Sequence, residues 1–199
     1  MLTCCTTYRT QPWEFLVPLD YVHTHMTAGV WGDYKTELID QSFAGLRPGG
    51  WLESQERTMF YESADGSLPA DSALHKWVAD LDQASRILNR PLNWAVNLRR
   101  WYEEAGFVDV HELIFRIPSG PWPSDPQLEE LGAAWQSCVL DSLSGLSVYM
   151  FNEAFNRSQE TTEVMLTQVR KELLDPTIHA WNNVYVVWGR KPYPDEVQR

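Results

Sequence analysis

Apolar and polar positions in this chain follow two rhythms, a two-residue alternation that marks strands and a 3.6-residue stripe that marks helices. Residues 19–25 (LDYVHTH) read as a buried strand. In 33–46, Tyr34, Leu38, Ile39, Phe43 and Leu46 make one broad apolar face, and Asp33 is placed to cap the helix they predict. Pro48 and the Gly49-Gly50 pair are stop signals, and 51–56 then predicts a second strand. Asp65-Gly66 marks a turn. Asp71 or Ser72 caps a long helix whose stripe is Leu74, Trp77, Val78, Leu81, Ala84, Ser85 and Leu88. Beyond Pro91 another helix carries Trp94, Leu98, Trp101, Tyr102 and Ala105 and ends at Gly106. Residues 107–117 alternate as a third strand, with Leu113, Phe115 and Ile117 on one face. The proline-rich stretch PSGPWPSDP (118–126) predicts an ordered loop around Trp122. Helices follow at 126–144, 146–156 and 158–174, the last capped by Ser158. Residues 183–191 (NVYVVWGRK) read as the last strand.

This order of strand, helix, strand, two helices, strand, helical insertion and strand predicts an α/β fold. Residues 1–18 have no clear reading, although Pro12 and Pro18 bracket Trp13, Phe15 and Val17. The remaining chain, 19–199, reads as one domain with a helical cap at about 118–180. The last two strands have the look of antiparallel partners.

Composition narrows the function. The chain has 199 residues and a net charge of −11, from 27 acidic and 16 basic residues. A nucleic-acid partner needs a basic stripe, so that class is excluded, as is an anionic membrane surface. The balance favours a neutral or cationic ligand. Ten tryptophans exceed what the helical stripes need, which points to an aromatic-walled cavity or an apolar interface. Cys4 and Cys5 read as exposed thiols and Cys138 as a core residue, with no disulfide framework and no zinc spacing. The start lacks an apolar signal region and no run would span a bilayer, so the expectation is a cytoplasmic protein. No nucleophile–base–acid set, phosphate loop or metal cluster is visible in the sequence.

Seven stretches then carry a resemblance. They are LDYVHTHMTAG (19–29), LRPGGWLESQE (46–56), DGSLPADSALHKW (65–77), NRPL (89–92), WYEEAGFVDVHE (101–112), GPWPSDPQLEELG (120–132) and IHAWNNVYVVWGRKP (178–192). In this order the chain resembles fungal small-molecule methyltransferases of the class I fold, the group related to the secondary-metabolism regulator LaeA. The resemblance implies a truncated Rossmann-like sheet with strand order 4-5-7-6 and a helical insertion between the last two strands. It assigns 19–25 to strand four, 51–56 to strand five, 107–117 to strand six and 183–190 to strand seven.

The family holds S-adenosylmethionine with a glycine-rich turn after strand one and an acidic residue at the end of strand two. Neither is found here: the first glycine is Gly29 and no Gly-x-Gly occurs. Each such contact is a charge-assisted bond of about 1.5–3 kcal/mol, so losing two or three weakens binding by on the order of a thousandfold. The expectation is therefore a protein that works without a cofactor, with S-adenosylmethionine only if the missing half is supplied elsewhere. Strand four becomes a sheet edge, and a homodimer is the expected cover for it.

In open α/β sheets ligands sit at the carboxyl ends of strands. His23 and His25, alternating at such an end, are candidates for a general base or for donors to a carbonyl, against the reading of satisfied structural histidines. Glu53 and Gln55 share one face of the next strand and are candidates for the same site. Glu56 is the residue of that strand expected to face solvent. A buried glutamate there would have a raised pKa and act as an acid. Trp31, Tyr34, Trp122, Trp135, His179, Trp181 and Tyr185 are candidates for the wall of a substrate cavity, while Trp77 and Trp101 fit the core. Three functions stay open. The first is a repurposed enzyme that cyclises or isomerises an apolar natural-product intermediate without a cofactor. The second is a methyltransferase whose cofactor half lies outside this chain. The third is a non-catalytic partner of an intact relative.

Overall fold

The computed structural model describes residues 12–196. The elements in chain order are strand β1 (Leu19–His25), a π-helical turn (Lys35–Ile39) running into α1 (Asp40–Gly45), β2 (Leu46–Glu62), α2 (Ala73–Ile87), a 3-10 turn (Ala95–Asn97) leading into α3 (Leu98–Ala105), β3 (Val108–Pro118), α4 (Pro126–Phe155), α5 (Gln159–Leu173) and β4 (Trp181–Arg190). Sheet order is β1-β2-β4-β3, the 4-5-7-6 order that the resemblance implied. β1 and β2 run parallel. Lys191, just past the end of β4, exchanges backbone bonds with Gly49 and Gly50 early in β2. Asn182, at the start of β4, reaches the carbonyls of Thr58, Met59 and Phe60 late in β2. These two strands therefore run in opposite directions, and the sheet is mixed. Among the described residues, no strand pairs with the outer edge of β1.

The chain divides into two compact units. Of the described residues, one takes 12–56, Trp94–Ile114 and 185–196; the other takes Arg57–Asn93 and Phe115–Val184. In the first, Tyr34, Leu38, Leu52, Leu98, Tyr102 and Val187 are the centre of a buried apolar cluster. In the second, α2, α4 and α5 pack on one another, and Trp77 Nε1 donates to Ser147 Oγ at 2.8 Å across them.

Local chemistry explains most boundaries. Asp33 Oδ1 accepts from the amides of Lys35 (3.0 Å) and Thr36 (3.3 Å), so it caps the first helical turn as expected. Ser72 and Ser158 cap α2 and α5 through the amides of His75 and Thr161. Gly106 closes α3 at φ 97°.

Two boundaries differ from the sequence reading. The second strand is not 51–56 but a 17-residue strand that takes over directly from α1 at Leu46. Pro48 and the glycine pair do end the helix's reach, but inside the strand. Register jumps from Leu19↔Leu46 to Tyr21↔Trp51, so 47–50 forms a bulge, and Gly49 takes φ +81° within it. A Cβ on Gly49 would lie 2.5 Å from Tyr193 Oη. The helices expected at 126–144 and 146–156 are one 30-residue helix. Gly145 lies in its interior with open space beside it, so it costs about 1 kcal/mol of helix propensity without breaking the rod. Gly132 of the same helix has a packing reason: a Cβ there would sit 2.1 Å from the carbonyl oxygen of Gly120.

Candidate functional site

In a parallel pair, residues opposite each other share a face. The register sets Tyr21 beside Trp51, His23 beside Glu53 and His25 beside Gln55. Three of the four catalytic candidates come together here. Glu53 accepts from the Tyr21 hydroxyl (2.9 Å) on one oxygen and from the Gln55 amide (2.6 Å) on the other. His23 Nε2 lies 3.8 Å from Glu53 Oε1. Desolvation and the adjoining Glu53 push the Tyr21 hydroxyl up to about 12, so it remains a donor to Glu53 at neutral pH. His25 is in register with Gln55 but makes no hydrogen bond or ion pair among the described residues. Asp20, Tyr21, Trp51, Glu53 and Trp188 line an open groove of about 370 Å³ on this face. His111 stacks on Trp188 with ring centres 5.3 Å apart. Sequence reasoning missed Tyr21, Trp51 and Trp188 as site residues. The signal for the first two was present, in the runs Tyr21-x-His23-x-His25 and Trp51-x-Glu53-x-Gln55.

The opposite face of the same two strands is buried, and here one expectation is corrected. Glu56 is not solvent-facing; it is 0% exposed. Its carboxylate accepts from the Thr27 amide (2.8 Å) and the Thr27 hydroxyl (2.6 Å), which ties down the turn after β1. Burial pushes its pKa up to about 7, against the pull of those bonds. The buried, raised-pKa glutamate is thus Glu56, and Glu53 is half-buried on the open face. Beside it Thr24, Tyr34, Ser54 and Tyr102 share a closed hydroxyl cluster with oxygens 2.7–3.1 Å apart.

Glu56 makes stability depend on pH. Its folded value lies above the ordinary 4.5, so the fold favours the protonated form. That contribution is full below about pH 4.5 and is lost as pH rises through about 7. Asp65 and Glu196 are held low by hydrogen bonds from Ser67 and Ser63 and from Arg190, and finish titrating at lower pH. Denaturant unfolding should show stability falling by about 2 kcal/mol from pH 5 to pH 8. Glu56→Gln should flatten that slope.

The cavity-wall candidates divide between the two units. Tyr34 is a correction: at 1% exposure, stacked 3.7 Å from Trp94, it is core. Trp31 packs edge-on against Tyr34, and its buried Nε1 has no hydrogen-bond partner among the described residues. Tyr185 is partly buried against the same cluster. In the other unit, Trp122 Nε1 donates to Ala180 O (3.0 Å) and its ring lies on His179, which holds Asp65 at 2.6 Å. Trp135 donates to Asn182 (3.3 Å) beneath the Arg57 guanidinium, and Arg116 covers Trp181. Cys138 is exposed rather than core, because it falls off the buried stripe of α4. Cys4 and Cys5 lie outside the described residues. The described residues hold no group of three or more metal-ligating side chains, and no helix is long and apolar enough to cross a membrane.

Comparison with known proteins follows the fold. No family model matches. The chain is 35% identical over 181 residues to methyltransferase pytC of Aspergillus terreus, covering 91% of this chain and 56% of that protein. It is 30% identical over 175 residues to the secondary metabolism regulator LAE1 of Cochliobolus heterostrophus, covering 87% of this chain and 57% of that protein. It thus spans a little over half the length of these curated relatives. Among solved structures, it is similar to phosphoethanolamine N-methyltransferase 2 of Haemonchus contortus with S-adenosylhomocysteine bound (14% identity, TM-score 0.45, 91% of this chain and 35% of that one). These findings overturn the expectation of a protein that works without a cofactor. The relative pytC is a methyltransferase, and methyl transfer requires a methyl donor.

Proposed function

We propose, from a chain homologous to the LaeA-like methyltransferases of fungal secondary metabolism over about nine-tenths of its length, that it carries the substrate-facing part of an S-adenosylmethionine-dependent small-molecule methyltransferase. The observation that carries this reading is the 35% identity to pytC across 181 residues. S-adenosylmethionine supplies the activated methyl group when bound. The described residues do not complete a seat for it. The amides of Met26 and Thr27, at the carboxyl end of β1, are already committed to Gln55 O and to Glu56. No Gly-x-Gly occurs in the sequence. The remaining contacts would come from groups paired on the outer edge of β1.

What this chain's own residues do is handle the substrate. Methylation of an O–H or N–H group releases a proton. His23 stands near the carboxyl end of β1, where it can take that proton, with Glu53 Oε1 3.8 Å from its Nε2. The substrate is a natural-product intermediate with a largely apolar skeleton.

The test mixes the purified protein with the part of pytC that this chain does not cover, and adds tritiated S-adenosylmethionine and an organic extract of fungal culture. The expected result is label in an organic-soluble product, together with a saturable rise in melting temperature on adding the donor. Absence of both at millimolar donor would overturn the reading. The homodimer expected at the β1 edge is a competing cover for the same strand. Light scattering with and without the donor separates the two: a dimer that the donor does not perturb favours self-pairing.

A further inference from the structure

We propose that the groove on the open face of β1, β2 and β4 is a subsite for an organic cation, the protonated or quaternary amine of the substrate. Five residues line it, and their chemistry is one-sided: three rings (Tyr21, Trp51, Trp188) and two carboxylates (Asp20, Glu53). Tyr21 is 52% exposed, so its ring is available to a ligand. A cation over tyrosine or tryptophan faces is attracted by the ring quadrupole, and more strongly when it is desolvated.

The two carboxylates differ. Asp20 is paired with Arg47, so its charge is already answered. Glu53 accepts only neutral donors, from Tyr21 and Gln55, and faces His23 at 3.8 Å. Those donors hold its oxygens in place without cancelling the charge. A tethered carboxylate beside aromatic faces would bind an ammonium group and would discriminate against a neutral ligand of the same shape. Steric selection alone would accept both. The chain's net charge of −11 acts in the same direction at long range.

This inference rests on the methyltransferase reading only for the word substrate; the cation site can be tested alone. The probes are choline and its uncharged carbon isostere, 3,3-dimethylbutan-1-ol, titrated by calorimetry and by tryptophan fluorescence. Choline should bind at least tenfold more tightly than the isostere. Glu53→Gln and Trp188→Ala should each weaken it about fivefold or more, with far-ultraviolet circular dichroism unchanged. Equal binding of the two probes would overturn the proposal, as would binding that neither variant affects. Displacement of choline by S-adenosylmethionine would assign the groove to the donor's sulfonium and overturn its assignment to the substrate. Methyl transfer without choline selectivity would sink the subsite and leave the enzyme reading standing. Selectivity without methyl transfer would do the reverse.

Discussion

Tyr34→Ala should cost about 4 kcal/mol of folding stability, the range seen when a large buried aromatic is truncated. Thermal denaturation should show it as a fall in melting temperature of roughly 8–16 °C for a protein of this size. Two losses add. The ring is fully buried and stacked 3.7 Å from Trp94, so its removal leaves a cavity. Its hydroxyl stands between Thr24 (2.9 Å) and Ser54 (2.8 Å), so both lose a partner inside the core. Tyr34→Phe keeps the stack and loses only the hydroxyl, and should cost about 1–2 kcal/mol. If alanine cost no more than phenylalanine, the ring would not be core and the hydroxyl cluster alone would matter.

His23→Ala should slow methyl transfer by about 100-fold, the usual scale for a general base, while His25→Ala should change the rate little. The difference comes from the partner. His23 has the Glu53 carboxylate 3.8 Å away, whereas the side chain of His25 has no polar contact among the described residues. The loss should fall on kcat rather than KM, because proton removal accompanies the chemical step. Equal losses in the two variants would mean that the histidines act through structure.

Much of the fold was legible in the sequence. Three of the four strands fall within two residues of their expected places, the second contains the expected 51–56 but runs on at both ends, and the resemblance supplied their order. Alternation shows that Glu53 and Gln55 face one way and Ser54 and Glu56 the other. It does not show which way is inward, because that depends on what packs on each face. Glu56 was assigned to solvent for that reason, and it lies under the turn that Thr27 begins. Tyr34 was set in a cavity wall because a tyrosine is amphipathic. Its hydroxyl finds partners on β1 and β2, elements that a helical stripe does not reveal. Two glycines misled in the same way. Gly49 continues a strand through a bulge, and Gly145 continues a helix, where each reads locally as an end. The groove was legible only in part: Tyr21 and Trp51 follow the alternation of the candidate residues, whereas Trp188 joins them only through sheet order.

The stack of Tyr34 on Trp94 has an optical consequence. Two aromatic transitions held face to face at 3.7 Å in a chiral setting couple, and they give an ellipticity that vanishes when the rings part. Trp77, Trp122, Trp135 and Trp181 belong to the other compact unit and emit from separate surroundings. In one melt the ellipticity of the stack therefore reads its own unit, while emission reads both, because Trp13, Trp31, Trp51, Trp94, Trp101 and Trp188 belong to the unit of the stack. Coincident midpoints would mean that they unfold together, and a gap would mean that one outlasts the other.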